Sequence, residues 1–395
     1  MAISKKKPVK PSESLIHKTT HLMHDGMDAH AFGDFEMPPA LGDARWTDEL
    51  ILSTWYMSAT GKVPDDLNYK TGDSDGGFDR LEFKFIEEEQ WLNPEEIDTS
   101  IPLNRRGDQR AKLSPPIPIY GGGMSYGSVS VNVMLARAKN AQKWKTYMST
   151  GEGGYPEQLY DFKEHVITQV ATGYFGVEER SIQAAPIVEF KYAQGAKPGL
   201  GGHLLASKAG EEVAKMRGSV PFVSLFSPFP FHSTYSVEDH SKHIDWIQTI
   251  NPDALISVKV STPHDVDMVA VGSHYAGAHI IHLDGGFGGT GAAPEIAKKN
   301  IAMPIELAIP KVHKFLIKEG IRDKVTLIAS GGIRSADDIA KAIALGADGT
   351  VLGTSDLVAM GCTRCSNCEG GPSGRGCPWG LTTTDIELQE WVQLE

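Results

Sequence analysis

Cys362, Cys365, Cys368 and Cys377 are the only cysteines in the chain, and they fall within sixteen residues as Cys-x2-Cys-x2-Cys-x8-Cys-Pro. Three closely spaced thiols followed by a distant Cys-Pro suit an iron–sulfur cubane, with the last interval lengthened by a GGPSGRG loop. Structural zinc through four thiolates and a disulfide pair are the competing readings. Zinc usually takes its cysteines as two separated pairs, and disulfides are rare in a reducing compartment. Two glycine turns suggest a second kind of chemistry. Ser330-Gly331-Gly332 runs into a helix start at Arg334-Ser335-Ala336-Asp337-Asp338, and Gly353-Thr354-Ser355 repeats the arrangement. Backbone N–H groups bared by glycine at a helix start bind phosphate, although either turn alone could be mere turn geometry. Lys259, in Ser-Val-Lys-Val, is a cation suited to the anionic edge of a flavin, or else a solvated lysine. An iron–sulfur cluster beside a phosphate-bearing cofactor implies electron transfer, for which flavin mononucleotide (FMN) is the most economical partner. Gly286-x-Gly288-x-x-Gly291 matches the dinucleotide fingerprint only formally. It lies deep in the chain without the acidic residue expected about 20 positions on, so it reads as a loop approaching a ligand.

The elements that must position these residues begin near Pro116. Short apolar runs at 117–120, 145–149, 187–192, 222–226, 255–260, 280–283, 325–329 and 350–352 alternate with helical stretches at 131–141, 158–171, 236–249 and 336–345. Eight βα units over this length predict a (β/α)8 TIM barrel, with a doubly wound open sheet as the alternative. Glycine-rich loops follow five of the runs, and in a barrel these loops emerge at the carboxyl-terminal face where active sites are built. Residues 1–114 carry Pro, Asp, Gly and Glu clusters without sustained periodicity and form an irregular, partly helical extension. Residues 115–361 form the barrel, and 362–395 the cysteine loop and terminal segment.

The 395 residues are 41% hydrophobic and 22% charged, which excludes disorder, collagen and a disulfide scaffold. A net charge of −12 opposes nucleic-acid binding. No run reaches the roughly 18 apolar residues of a membrane span, and the amino terminus MAISKKKPVK lacks a secretory core. A cytoplasmic protein is expected. Lys5, Lys6, Lys7 and Lys10 are read as a solvated tail.

The motifs MSYGSVS (124–130), STGEGG (149–154), QVATGYFGV (169–177), YAQGAKPGLGGHL (192–204), SPFPFHSTYSVEDH (227–240), SVKV (257–260) and GGTGAAP (288–294), with both glycine turns, closely resemble the synthase domain of glutamate synthase. The resemblance covers about 113–385 in unbroken order. It implies an FMN barrel that reduces 2-iminoglutarate, formed from 2-oxoglutarate and ammonia, to L-glutamate. It implies FMN contacts from Met124, Ser125, Ser149, Thr150, Gln169, Lys259, Ser330, Gly331, Gly332, Gly353 and Thr354. Glu152, Lys197 and His203 become catalytic candidates, and Arg217, Ser227, Gly288 and Gly289 substrate-binding ones.

Three departures qualify the resemblance. His203 stands where the family usually has glutamine, and SPFPFHS, with Phe231, replaces SPPPHHD. Cys365 is additional to three family ligands aligned with Cys362, Cys368 and Cys377, which would turn a 3Fe-4S site into 4Fe-4S. Neither an amino-terminal catalytic cysteine nor a nicotinamide domain is seen. Ammonia and electrons are therefore expected from a glutaminase-type subunit, a β-helical subunit and a ferredoxin or NAD(P)H-oxidising protein, in an oligomeric assembly. The alternatives are the flavin subunit of an N-methylglutamate synthase, using methylamine and glutamate, and a non-catalytic electron-transfer subunit.

Overall fold

A computed structural model describes residues 41–43, 45–64, 77–84, 92–229, 231–289, 293, 297, 300–368, 375–392 and 394. The basic tail, the Thr290–Gly291 end of the glycine fingerprint and most of the GGPSGRG loop lie outside the described residues.

Ten strands are present among the described residues: β1 (Ile119–Gly121), β2 (Met148–Ser149), β3 (Val166–Val170), β4 (Ile187–Lys191), β5 (His203–Leu204), β6 (Leu225–Phe226), β7 (Leu255–Ser261), β8 (Ile280–Asp284), β9 (Thr326–Ser330) and β10 (Gly349–Leu352). Eight of them close into a barrel in the order β1-β10-β9-β8-β7-β4-β3-β2, with every pairing parallel. Closure joins Ile119 to Thr350 and Gly121 to Leu352. The (β/α)8 expectation holds and the open sheet does not.

Alternation along each strand separates the two faces. Val188 and Phe190, Ile256, Val258 and Val260, Ile281 and Leu283, and Leu327 and Ala329 join the apolar shell shared with the outer helices. Ile167, Ile187, Leu255, Ile280, Ile328 and Val351 instead form an interior cluster with Ile101 and Leu103, which plugs the barrel's amino-terminal end. Two residues further along, the interior positions turn polar with Gln169, Glu189, Ser257, His282 and Ser330, all buried. Buried polar groups at the strands' carboxyl-terminal ends cost stability unless paired, so this change of chemistry marks the functional end.

Two expected elements are corrected. The single helix expected over 158–171 is divided: a 3-10 helix occupies Glu157–His165, and Val166–Val170 is the third barrel strand, buried throughout. Residues 222–226 are not a barrel strand. Phe222 is 64% exposed with φ +59°, and only Leu225–Phe226 is extended, pairing antiparallel with His203–Leu204 in a separate two-stranded sheet. The two errors cancel in the count. Lys259 still lies on the fifth barrel strand, and the SGG and GTS turns still follow the seventh and eighth.

The helix at 48–60 of the amino-terminal extension is docked on the barrel. Helix Asp48–Thr60, capped by Thr47 and by left-handed Gly61, buries Leu50, Ile51 and Trp55. Trp55 Nε1 donates to Val358 O at 2.7 Å in the helix that follows β10. No helix among the described residues is long and apolar enough to cross a membrane.

Candidate active site

At the carboxyl-terminal end of the barrel the interior polar side chains form one connected array. Gln169 Nε2 donates to Glu189 Oε1 at 2.7 Å, and Ser257 Oγ donates to Glu189 Oε2 at 2.9 Å. His282 joins Glu189 Oε2 through Nδ1 at 2.9 Å and Ser330 Oγ through Nε2 at 2.8 Å. Ser330 Oγ also donates to Asp284. Burial pushes the Glu189 carboxyl up, but His282, Lys259 and the Gln169 hydrogen bond outweigh it and hold the group at about 2. Five strands are thereby tied together by an ionised, fully partnered carboxylate.

Above this array stand the charged residues. Lys191, last in β4, reaches Glu152 Oε1 at 2.9 Å, and both side chains are buried or nearly so. Lys259 Nζ lies 3.9 Å from Asp284 Oδ2. The Lys191 ammonium is lowered by burial, and the like charge of Lys259 adds to this against the pull of Glu152 and Asp284. Glu152 is in the opposite position: burial raises it, but Lys191, Lys197 and Arg217 together keep it below the usual carboxylate range. Arg217, lowered to about 10 mainly by burial, donates through Nη2 to Tyr126 O at 3.0 Å and Ser125 Oγ at 3.2 Å.

Glycine makes this crowding feasible. A Cβ at Gly202 would collide with the Glu152 carboxylate, and one at Gly153, where φ is +108°, would stand 2.6 Å from Arg217 Cζ. The cavity that results is lined by Glu152, Thr172, Lys191, Tyr192, Lys197 and Gly202, among others. Its volume is about 10 Å³, room for about one water. A larger guest therefore enters only as the surrounding side chains give way.

The structure brings most of the expected residues to this end of the barrel. Ser149 Oγ accepts from Gly151 N at 3.2 Å, and Thr150 follows it, buried. A Cβ at Gly151 would stand 2.5 Å from Ser125 N and 2.8 Å from Met124 C, so the loops after β1 and β2 touch. Ser227 N donates to Gly202 O at 2.6 Å, and its buried Oγ has no partner among the described residues. Gly288 O accepts from Ala196 N at 2.7 Å, and Gly289 O accepts from Gln194 Nε2 at 3.4 Å, which joins the loop after β8 to the one carrying Lys197. His203 is not among the cavity-lining residues. It sits in β5 with its ring stacked on Phe226, centroids 6.1 Å apart. Glu189, Lys191, His282 and Asp284 were not singled out from the sequence. Their signal was available as charged or polar residues at alternate positions in otherwise apolar strands, IVEFK and IIHLD.

At the other side of the mouth, Gly331 and Gly332 have φ of +92° and +111°. A Cβ on the first would stand 2.6 Å from Gly285 O and on the second 2.7 Å from Arg45 Nη2, so only glycine fits either place. Ser355 Oγ donates to Ile333 O at 2.8 Å, fastening this turn to helix Thr354–Ala359, whose N-cap is Gly353. Left-handed glycines, a helix start and the nearby cations Lys259 and Arg45 form a donor set that fits a phosphate-bearing flavin.

The cysteine segment packs beside the mouth. Cys377 is buried, and the other three are half-buried. Arg364 N donates to Cys362 Sγ at 3.4 Å, and Lys208 Nζ to Cys368 O at 2.8 Å. Burial pushes the Cys362 thiol up to about 12, partly offset by Arg364 and reinforced by Cys368 and Cys377. Cys368 is raised likewise by burial, then by Cys377 and Cys365. Cys362 thus lies within electrostatic reach of Cys368 and Cys377, and Cys368 of Cys365 and Cys377; sulfur donors of this kind suit iron–sulfur or zinc. Among the described residues no three His, Cys, Asp or Glu side chains are gathered around one metal-ion position.

Comparison with known proteins accords with this picture. The family model for the conserved region in glutamate synthase matches residues 79–395. The archaeal-type glutamate synthase (NADPH) of Thermotoga maritima is 40% identical over 388 residues, covering 92% of this chain and 74% of the relative. The corresponding protein of Dehalococcoides mccartyi is 37% identical, covering 89% and 73%. The archaeal glutamate synthase (NADPH) of Methanocaldococcus jannaschii is 40% identical, covering 80% of this chain and 60% of its own length. A family match over most of the chain, on a closed parallel barrel with a charged mouth, shows that the chain belongs to the glutamate synthase family and is an oxidoreductase of the type acting on CH–NH2 groups.

Proposed function

We propose that this chain binds FMN and reduces 2-iminoglutarate, formed from 2-oxoglutarate and ammonia, to L-glutamate, using electrons from a 4Fe-4S cluster held by Cys362, Cys365, Cys368 and Cys377. The observation that carries this reading is the gathering of cations around Glu152: Lys191 and Lys197 line one small cavity with it, and Arg217 acts on its carboxylate from outside that lining. A dicarboxylate needs more than one cation, and Lys191, Lys197 and Arg217 supply three around Glu152. Bound FMN supplies two-electron chemistry to the imine, and the cluster supplies single electrons.

The chain's own residues supply the remainder. Lys197 and Arg217 hold the substrate carboxylates. Glu152, ionised at neutral pH, orients ammonia or the substrate nitrogen through its acceptor oxygens. Lys191 Nζ, whose proton is loosened by burial and by Lys259, gives that proton to the substrate nitrogen and is reprotonated from solvent. Gly331, Gly332, Gly353 and Thr354 would hold the FMN phosphate, Lys259 would offset the flavin's negative edge, and Met124, Ser125, Ser149, Thr150 and Gln169 would supply further contacts. The four thiols, Cys377 buried and the others half-buried, lie in one segment, and a polynuclear cluster spreads its ligands more widely than a single ion does.

One observation favours a second reading, N-methylglutamate formation. Tyr192 lines the cavity and packs on buried Phe231, ring centroids 4.8 Å apart, which gives one wall the apolar character a methylated nitrogen requires. Anaerobic turnover with a chemical reductant, offering ammonia beside 2-oxoglutarate or methylamine beside glutamate, separates the two by the mass of the product.

A further inference from the structure

Arg45 belongs to the amino-terminal extension, yet its guanidinium lies at the mouth of the barrel. Its Nη2 donates to Gly332 O at 3.4 Å, and its Cζ stands 3.4 Å from the centroid of the Phe287 ring. The approach is deliberate in its supports. Asp43 Oδ1 accepts from the backbone N of Arg45 and Trp46, both at 2.9 Å, and Asp43 is ion-paired with Arg364 at 2.7 Å. Gly42 N donates to Thr363 O at 3.0 Å, and Arg334 Nη1 donates to Arg45 O at 2.8 Å. The segment is therefore fastened to the loops after both β9 and β10.

Among the described residues the neighbouring arginines are held in ion pairs and Arg45 is in none. Arg334 holds Asp79 and Asp338, and Arg364 holds Asp43. Among the described residues no carboxylate lies within ion-pair distance of Arg45, and its buried Nε has no hydrogen-bond partner. A guanidinium presenting Nε and an Nη on one edge is a two-pronged donor matched to phosphate oxygens. The Phe287 ring beneath the guanidinium holds the group in place through a cation–π contact. We propose that Arg45 is a ligand of the phosphate monoester of the flavin, delivered by the extension to the Gly331–Gly332 turn.

This inference rests on the FMN reading above, and the test keeps the two apart. Apo-protein is titrated anaerobically with FMN and with riboflavin, which lacks the phosphate, by flavin fluorescence. Wild type, Arg45→Gln and Arg45→Lys are compared, with the melting temperature of each recorded. The expected result is that Arg45→Gln weakens FMN about 10- to 100-fold, leaves riboflavin unchanged, and is only partly rescued by Arg45→Lys. Equal weakening of both flavins, or of neither, overturns the assignment of Arg45 while leaving FMN binding intact. A wild type that binds neither flavin overturns the FMN reading and this inference with it. Should Arg45→Gln not fold, Arg45→Lys alone decides: it keeps the charge but loses the two-pronged edge, and undiminished selectivity for FMN over riboflavin contradicts the proposal.

Discussion

Lys191 and Glu152 form a nearly solvent-free ion pair, 2.9 Å from Nζ to Oε1, between the end of a barrel strand and the loop after another. The carboxylate is flanked by two further cations, Lys197 and Arg217. Replacing Glu152 by Gln keeps the shape and removes the charge. Turnover is expected to fall about 100- to 1,000-fold, and the melting temperature to drop, since a buried ion left without its partner costs about 3–5 kcal/mol. Steady-state assays and thermal unfolding check both.

Lys197 is buried in the cavity wall and far from the glycine turns in chain and role. Lys197→Ala is expected to abolish glutamate formation while the flavin remains bound. The visible spectrum and flavin content of the purified variant, measured beside its activity, check this pairing of results.

Glu189 predicts a pH dependence of stability. Its carboxyl is held at about 2 against an ordinary 4.5. A depressed carboxyl contributes stability that is fully present above its unfolded value and is lost as the pH falls through the folded one. Wild-type stability should therefore decline between about 4.5 and 2, and Glu189→Gln should flatten that decline. The variant should be less stable at neutral pH by about 3–5 kcal/mol, because a buried partner is removed. Denaturant unfolding at a series of pH values reads both effects.

Cys365 separates two cluster types. With four thiolate ligands the oxidised protein is expected to be silent in paramagnetic resonance and to gain a signal after dithionite. Cys365→Ser should change that behaviour. An oxidised wild-type signal that survives the substitution unchanged indicates a three-iron site.

Much of this was legible in the sequence because glycine is informative wherever a loop needs positive φ or a close approach, as at Gly331 and Gly332. The strands were harder. Val166–Val170 is buried on both faces, and a short continuous apolar run has no period that distinguishes strand from helix; following directly on a 3-10 segment, it reads as helix. Val220, Phe222 and Val223 look like a strand by composition yet lie exposed. Tertiary context decides such cases. Lys191 and Glu189 were legible in principle as charges inside an apolar strand. The pairing of Glu152 with Lys191, 39 positions away in sequence, follows only from barrel closure.

The most direct test of the account is anaerobic reaction of the FMN-loaded protein with 2-oxoglutarate, isotopically labelled ammonia and a chemical reductant, with the amino-acid product identified by mass. The account predicts labelled L-glutamate, dependent on both Glu152 and Lys197. Flavin reoxidation without any amino-acid product, from ammonia or from methylamine, would contradict it.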